Sequence, residues 1–175
     1  MPANLKRILD GGWSIGKKTG LGTELEAHIT YINNHVLSKA GLKIGVGSTT
    51  RVEIANNTDY TLNGIVYRIP ADQEEAFTAT DHDIADGYTN IFNMSVNAAL
   101  ATTLTIGTPA LAGVAPTVAA TPAGQLCIGT IQITAVGAIF NASTDALDAG
   151  HLTVVYIDRD GYVAIQPSLD RDMLG

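Results

Sequence analysis

Apolar positions recur at a helical spacing before residue 41 and at a strand spacing after it. The plainest alternation is Thr130-Ile131-Gln132-Ile133-Thr134, the two-residue period of a strand buried on one face. It lies inside the longest strand-like run, residues 125–136. Tyr60-Thr61-Leu62 and Ile65-Val66-Tyr67-Arg68-Ile69 flank Asn63-Gly64, a pair suited to the two positive φ angles of a type I′ hairpin turn. Pro70 closes the second strand because it has no N–H to give a ladder. Further strands are expected at 42–46, 51–54, 77–80, 88–96 and 104–106, with Ile139-Phe140 after Gly137. A last hairpin is expected from 151–157 and 162–165 around Asp158-Arg159-Asp160-Gly161.

The helical period belongs to residues 23–40. Thr23-Glu24-Leu25-Glu26 fits a capping box, in which Thr23 caps a backbone N–H and Glu26 reaches back. Leu25, Ile29, Ile32 and Val36 then form one stripe, widened by Leu37. Lys39 suits the negative end of the helix, Gly41 a left-handed cap, and Asn33-Asn34 weakens the middle. Residues 1–22 read as an arm punctuated by Gly11, Gly12, Gly16, Gly20 and Gly22, yet carrying Leu5, Ile8, Leu9, Ile15, Leu21 and the sole Trp, Trp13. Such an arm either docks on a neighbouring subunit or folds back on its own domain.

The expected fold is mainly β: a β-sandwich or partly open barrel with one N-terminal helix and an extended N-terminal arm. Its parts are the arm at 1–22, the helix at 23–40 and a β domain at 41–175. Pro109, Pro116 and Pro122 interrupt the pattern and predict a long apolar loop at about 98–124.

Charge sharpens this picture. Gly87 to Thr144 is a run of 58 residues without Asp, Glu, Lys, Arg or His. Only 15% of all residues are charged, against about 25% in ordinary soluble domains. A surface so poor in charge is expected to rest against other protein. Residues 1–43 hold six basic and three acidic residues, +3, while the rest hold four and fourteen, −10, together the −7 of the 175-residue chain. A basic front and an acidic body suggest two surfaces with different partners. The few scattered basic residues and sparse aromatics argue against nucleic acid. No apolar run is long enough for a membrane helix, no secretory leader is expected, and the single Cys127 can form no internal disulfide.

Candidate chemistry is thin. Asp81-His82-Asp83-Ile84-Ala85-Asp86-Gly87 is the one dense polar cluster. Three carboxylates near a Gly are like the front of a calcium loop, but the alternating Asp spacing and the closing Glu are missing, and a solvated turn is the plainer reading. His28 and His35 lie about 10 Å apart along the expected helix, too far to share one metal. Cys127 sits in an apolar run, where an inert thiol is the default. No Gly-x-Ser-x-Gly elbow or phosphate loop is present, and Asn141-Ala142-Ser143 fits a glycosylation triplet without an accompanying secretion signal. No enzyme activity, cofactor or metal is expected.

The segment Phe77-Thr78-Ala79-Thr80-Asp81-His82-Asp83-Ile84-Ala85-Asp86-Gly87-Tyr88, the run Pro122-Ala123-Gly124-Gln125-Leu126-Cys127-Ile128-Gly129-Thr130-Ile131-Gln132-Ile133, then Phe140, Thr144, Leu147 and Leu152-Thr153-Val154-Val155-Tyr156-Ile157-Asp158 together resemble accessory virion proteins of tailed bacteriophages. These are of the capsid decoration (cement) or head-fibre type, and the likeness spans about residues 60–158. It implies a virion protein made in the host cytoplasm and placed on the capsid surface. Implied partners are the major capsid protein and copies of itself, as a homotrimer, with no nucleic acid and no membrane. Contacts are then expected from Lys6, Arg7, Trp13, Lys17 and Lys18 of the arm and from Leu104, Ile106, Leu111, Val114 and Val118 of the uncharged stretch. A fibre base, a neck or baseplate protein, and a glycan-binding β-sandwich module are the alternatives.

Overall fold

Asn63 and Gly64 take φ of 54° and 78°, the left-handed pair that a tight hairpin needs. They join β4 (Thr58–Leu62) to β5 (Ile65–Ile69), with Leu62 opposite Ile65 and Tyr60 opposite Tyr67. The computed structural model describes residues 33–77 and 82–159, and these are mainly β, arranged as three antiparallel sheets. The other strands are β1 (His35–Val36), β2 (Leu42–Ile44), β3 (Arg51–Ile54), β6 (Gln73–Ala76), β7 (Tyr88–Asn97), β8 (Thr102–Ile106), β9 (Ala110–Leu111), β10 (Gln125–Ala135) and β11 (Leu152–Asp158).

One small sheet has the order β1-β4-β5 and another β2-β3-β6. The large sheet runs β11-β10-β7-β8, and β9 pairs with the start of β7. Residues facing each other across a ladder share a face. One row of the large sheet is therefore Tyr156, Ile131, Phe92 and Ile106, and the next is Asp158, Gly129, Met94 and Leu104. This face joins Val36, Tyr60, Leu62 and Ile69 of the first small sheet and Leu42, Val52 and Ile54 of the second in one core. Phe77 links its aromatic rings, edge-on to Phe92 at 4.9 Å between ring centres and to Phe140 at 5.7 Å. Tyr60 keeps its ring in the core and donates its hydroxyl to the Asn97 carbonyl at 2.7 Å, tying the small sheet to the end of β7. Leu42 lies against Gly129, where a Cβ would stand 2.4 Å from its Cδ1, and the Leu42 amide donates to Asp158 at 3.0 Å.

Two expectations change here. The expected helix at 23–40 lies mostly outside the described residues, but its last part is not helical. His35 and Val36 pair with Thr61 and Tyr60 in β1, and the His35 amide donates to the Thr61 hydroxyl at 3.0 Å. Val36 reaches the core through a strand, because a sheet ladder with β4 outweighs the weak propensity that the stripe supplied. Gly41 does adopt a left-handed φ of 65°, at the turn into β2. Within the long loop expected at about 98–124, the strand expected at 104–106 is present as β8, which begins two residues earlier, and the short β9 is an addition. Thr102 and Thr103 are β-branched, like Thr105 and Ile106, and fit a pleated surface. The strand expected at 77–80 begins with Phe77 as a buried residue after β6, and its remainder lies outside the described residues.

Candidate interaction surface

The far face of the large sheet is built from the polar half of the same alternation. Its rows are Ile157, Thr130, Asn93 and Thr105; then Val155, Gln132 and Ile91; then Thr153, Thr134 and Thr89. None of these side chains is charged. Thr89 and Thr134 share a hydroxyl hydrogen bond of 2.8 Å, which uses polarity inside the face.

Part of this face is covered by the chain's own uncharged loop. Asn93, buried, donates its side-chain amide to the Ala119 carbonyl at 3.3 Å and to the Thr121 hydroxyl at 3.0 Å. Thr108 and Thr117 exchange backbone bonds of 2.9 and 3.1 Å. The loop is thus clamped over β7 at Asn93, and Thr130, Gln132 and Thr134 of β10 are half-buried. Val155 and Ile157 of β11 are 45% and 50% exposed. Leu111, Val114, Val118, Val136 and Ile139 are more exposed than Tyr88 at 36%, and all six come from the uncharged run. The Ala112 amide donates to the Gly87 carbonyl and the Gly87 amide to that of Ala135, which places Leu111, Tyr88 and Val136 at one end of the sheet.

The residues expected to make contacts divide into three groups. Lys6, Arg7, Trp13, Lys17 and Lys18 lie outside the described residues. Leu111, Val114 and Val118 are exposed and available. Leu104 is buried opposite Met94, and Ile106 packs against the core beside Phe92, so both serve the interior. Their strand positions place them on the inner face. Sequence reasoning passed over Val136, Ile139, Val155 and Ile157. The apolar residues on both faces of 152–157 were the available signal, since a strand with one solvated face alternates cleanly.

The polar cluster before β7 has a structural use. Asp83 accepts the Ala142 amide at 2.8 Å, and Asp86 accepts the Gly137 amide at 2.7 Å. These carboxylates fasten the connection between β10 and β11. His82 is buried edge-on to Phe92, 5.2 Å between ring centres. Asp81 lies outside the described residues, among which no group of three potential metal ligands occurs.

An open cleft of about 420 Å³ lies on the β2-β3-β6 sheet, lined by Lys43, Val46, Gly47, Glu53, Asp72 and Glu74. Two of its acids are engaged. Glu53 accepts the Val46 amide at 2.8 Å and pairs with Lys43 at 3.0 Å, while Glu74 accepts the Gly47 amide at 2.7 Å. The Val46 amide, then Lys43, holds the Glu53 carboxyl below its ordinary value. These two carboxylates fix the Val46-Gly47 turn. Cys127 gives its thiol to the Gly129 carbonyl at 3.3 Å, and burial pushes its pKa up, the reverse of an activated nucleophile. Comparison with family models, with curated proteins and with solved structures finds no match.

Proposed function

We propose that this chain is a non-catalytic structural component of a tailed-bacteriophage virion, a decoration or cement protein on the outer surface of the capsid. The observation that carries the assembly reading is the uncharged, partly apolar surface around β10 and β11, with Tyr88, Leu111, Val114, Val118, Val136 and Ile139 beside it. Surfaces in water normally mix charges of both signs, and contiguous apolar patches mark sites of contact. The likeness of residues 60–158 to accessory virion proteins supplies the setting. A β-sandwich-like body would serve as a rigid platform, with the loop over β7 as part of the contact face.

The mechanism is thermodynamic. A chain that binds the mature shell and no other state stabilises that shell by mass action. Several copies attached together multiply weak contacts through effective concentration, so no single contact needs high affinity. The arm, with Lys6, Arg7, Trp13, Lys17 and Lys18, is the second attachment point. Heads assembled without this chain should lose resistance to heat and regain it when purified chain is added. Deleting residues 2–22 should abolish that rescue while the β domain keeps its unfolding transition. Rescue by the deleted chain would remove the arm from the account, and heads indifferent to the full chain would overturn the decoration reading.

A further inference from the structure

We propose that Asn63 is a site of spontaneous modification, where the side-chain amide is lost through attack by the Gly64 nitrogen, and that β1 with the two asparagines before it holds the reaction off. The proposal is independent of the assembly reading.

The chemistry belongs to the pair. Asn63 is the one asparagine in the chain that a glycine follows, and Gly64 has no side chain to shield its backbone nitrogen. In the reaction that nitrogen attacks Cγ of Asn63. The N–Cγ bond forms and the Cγ–Nδ2 bond breaks. The side-chain nitrogen leaves as ammonia, carrying the proton that the Gly64 amide gave up. Water then opens the cyclic imide at one of its two carbonyls. The product at position 63 is aspartate or, with one more carbon in the main chain, isoaspartate. Solvent water is the sole co-reactant, and both residues of the turn are exposed to it.

The folded geometry opposes this reaction at each step. The Gly64 amide donates to the Asn33 carbonyl at 2.9 Å, and the Asn63 amide to the Asn34 side-chain oxygen at 2.9 Å. The Gly64 nitrogen must shed its proton to attack, and an amide anion facing a carbonyl oxygen is repelled. Asn33 also lies close over Gly64, where a Cβ would stand 3.2 Å from the Asn33 side-chain oxygen. The left-handed turn fixes the backbone of Asn63, which must rotate to bring the nitrogen onto Cγ. β1 supplies these restraints. His35 and Val36 pair with Thr61 and Tyr60, and Val36 is buried, so Asn33 and Asn34 reach the turn while β1 stays on β4. When β1 leaves β4, both hydrogen bonds go with it. Isoaspartate then lengthens a two-residue turn and disturbs the register that sends Tyr60 and Leu62 inward. The change is one-way, so a modified chain records that β1 has come away.

The test incubates the full chain in mildly alkaline buffer and follows position 63 by peptide mass and by isoaspartate content. Amide loss should be about tenfold or more slower in the folded chain than in urea, because it waits on local opening. Asn34→Ala removes the acceptor of the Asn63 amide and should speed the folded reaction about fivefold, the share of one net hydrogen bond. Val36→Ala loosens β1 and should speed it too, whereas Leu104→Ala weakens the large sheet instead and should not. Amide exchange of Gly64 in the unaltered chain reads the opening without any variant, and its protection should match the protection against amide loss. Equal rates in the folded chain and in urea, an Asn34→Ala rate no faster than wild type, equal acceleration by Leu104→Ala, or a freely exchanging Gly64 amide would overturn the proposal.

Discussion

Gly107 is where the uncharged loop comes closest to the sheet. A Cβ there would stand 2.1 Å from the Thr117 carbonyl oxygen and 2.9 Å from that of Ile91, both backbone atoms. For Gly107→Ala the Thr117 oxygen must retreat by about 0.9 Å merely to reach 3.0 Å, which breaks the two Thr108–Thr117 backbone bonds. Each such bond is worth about 1 kcal/mol net. Against that loss of about 2 kcal/mol, alanine restricts the unfolded chain and returns about 0.4–1 kcal/mol. The net destabilisation is about 1–2 kcal/mol, a fall in Tm of about 2–8 °C for a domain of this size. Guanidinium unfolding gives the free energy, and amide exchange at Thr108 and Thr117 shows whether the clamp itself opened. A variant as stable as the wild type, with the Thr117 amide still protected, would refute the close approach and the covering of β7.

Other substitutions probe the remaining parts. Phe92→Ala removes a fully buried ring from the core and should cost about 3–5 kcal/mol in chemical denaturation. Tyr156→Phe removes a hydroxyl that is buried without a hydrogen-bond partner among the described residues, so stability should change by no more than about 0.5 kcal/mol or rise. Glu53 has a folded pKa below its ordinary value of 4.5, so its contribution is complete above that value and disappears as pH falls through the lower, folded one. Stability measured from about pH 7 downward should therefore show wild type and Glu53→Gln converging in acid, and a constant gap would contradict the assigned role of the Val46 amide and Lys43.

Much of the fold was legible because alternation and turn chemistry agreed with it. Asn63-Gly64 fixed the β4–β5 hairpin, and the Ile131/Ile133 period placed both faces of the second half of β10 correctly. β6 escaped notice because Gln73-Glu74-Glu75-Ala76 has no apolar period, and its strand form comes from pairing with β3. The stripe ending at Val36 satisfied a helix and a core-facing strand alike over its last residues, and only the ladder to Thr61 and Tyr60 decides between them. On the candidate surface, absence of charge pointed to a segment but did not separate its exposed residues from its buried ones. Leu104 and Ile106 have the same composition as Leu111 and Val114, and the register opposite Met94 and Phe92 is what sends them inward. Asp83 and Asp86 resembled a ligand cluster because their partners, the Ala142 and Gly137 amides, lie more than fifty residues away.

On the proposed function, the uncharged face and not the charged body meets other protein. Amide exchange of the full chain, free and bound to heads, tests it most directly. New protection is expected at Leu111–Val118, Val136–Ile139 and β11, with the Lys43–Glu53–Glu74 side unchanged. Protection confined to that charged side, with the uncharged face exchanging as in the free chain, would contradict it.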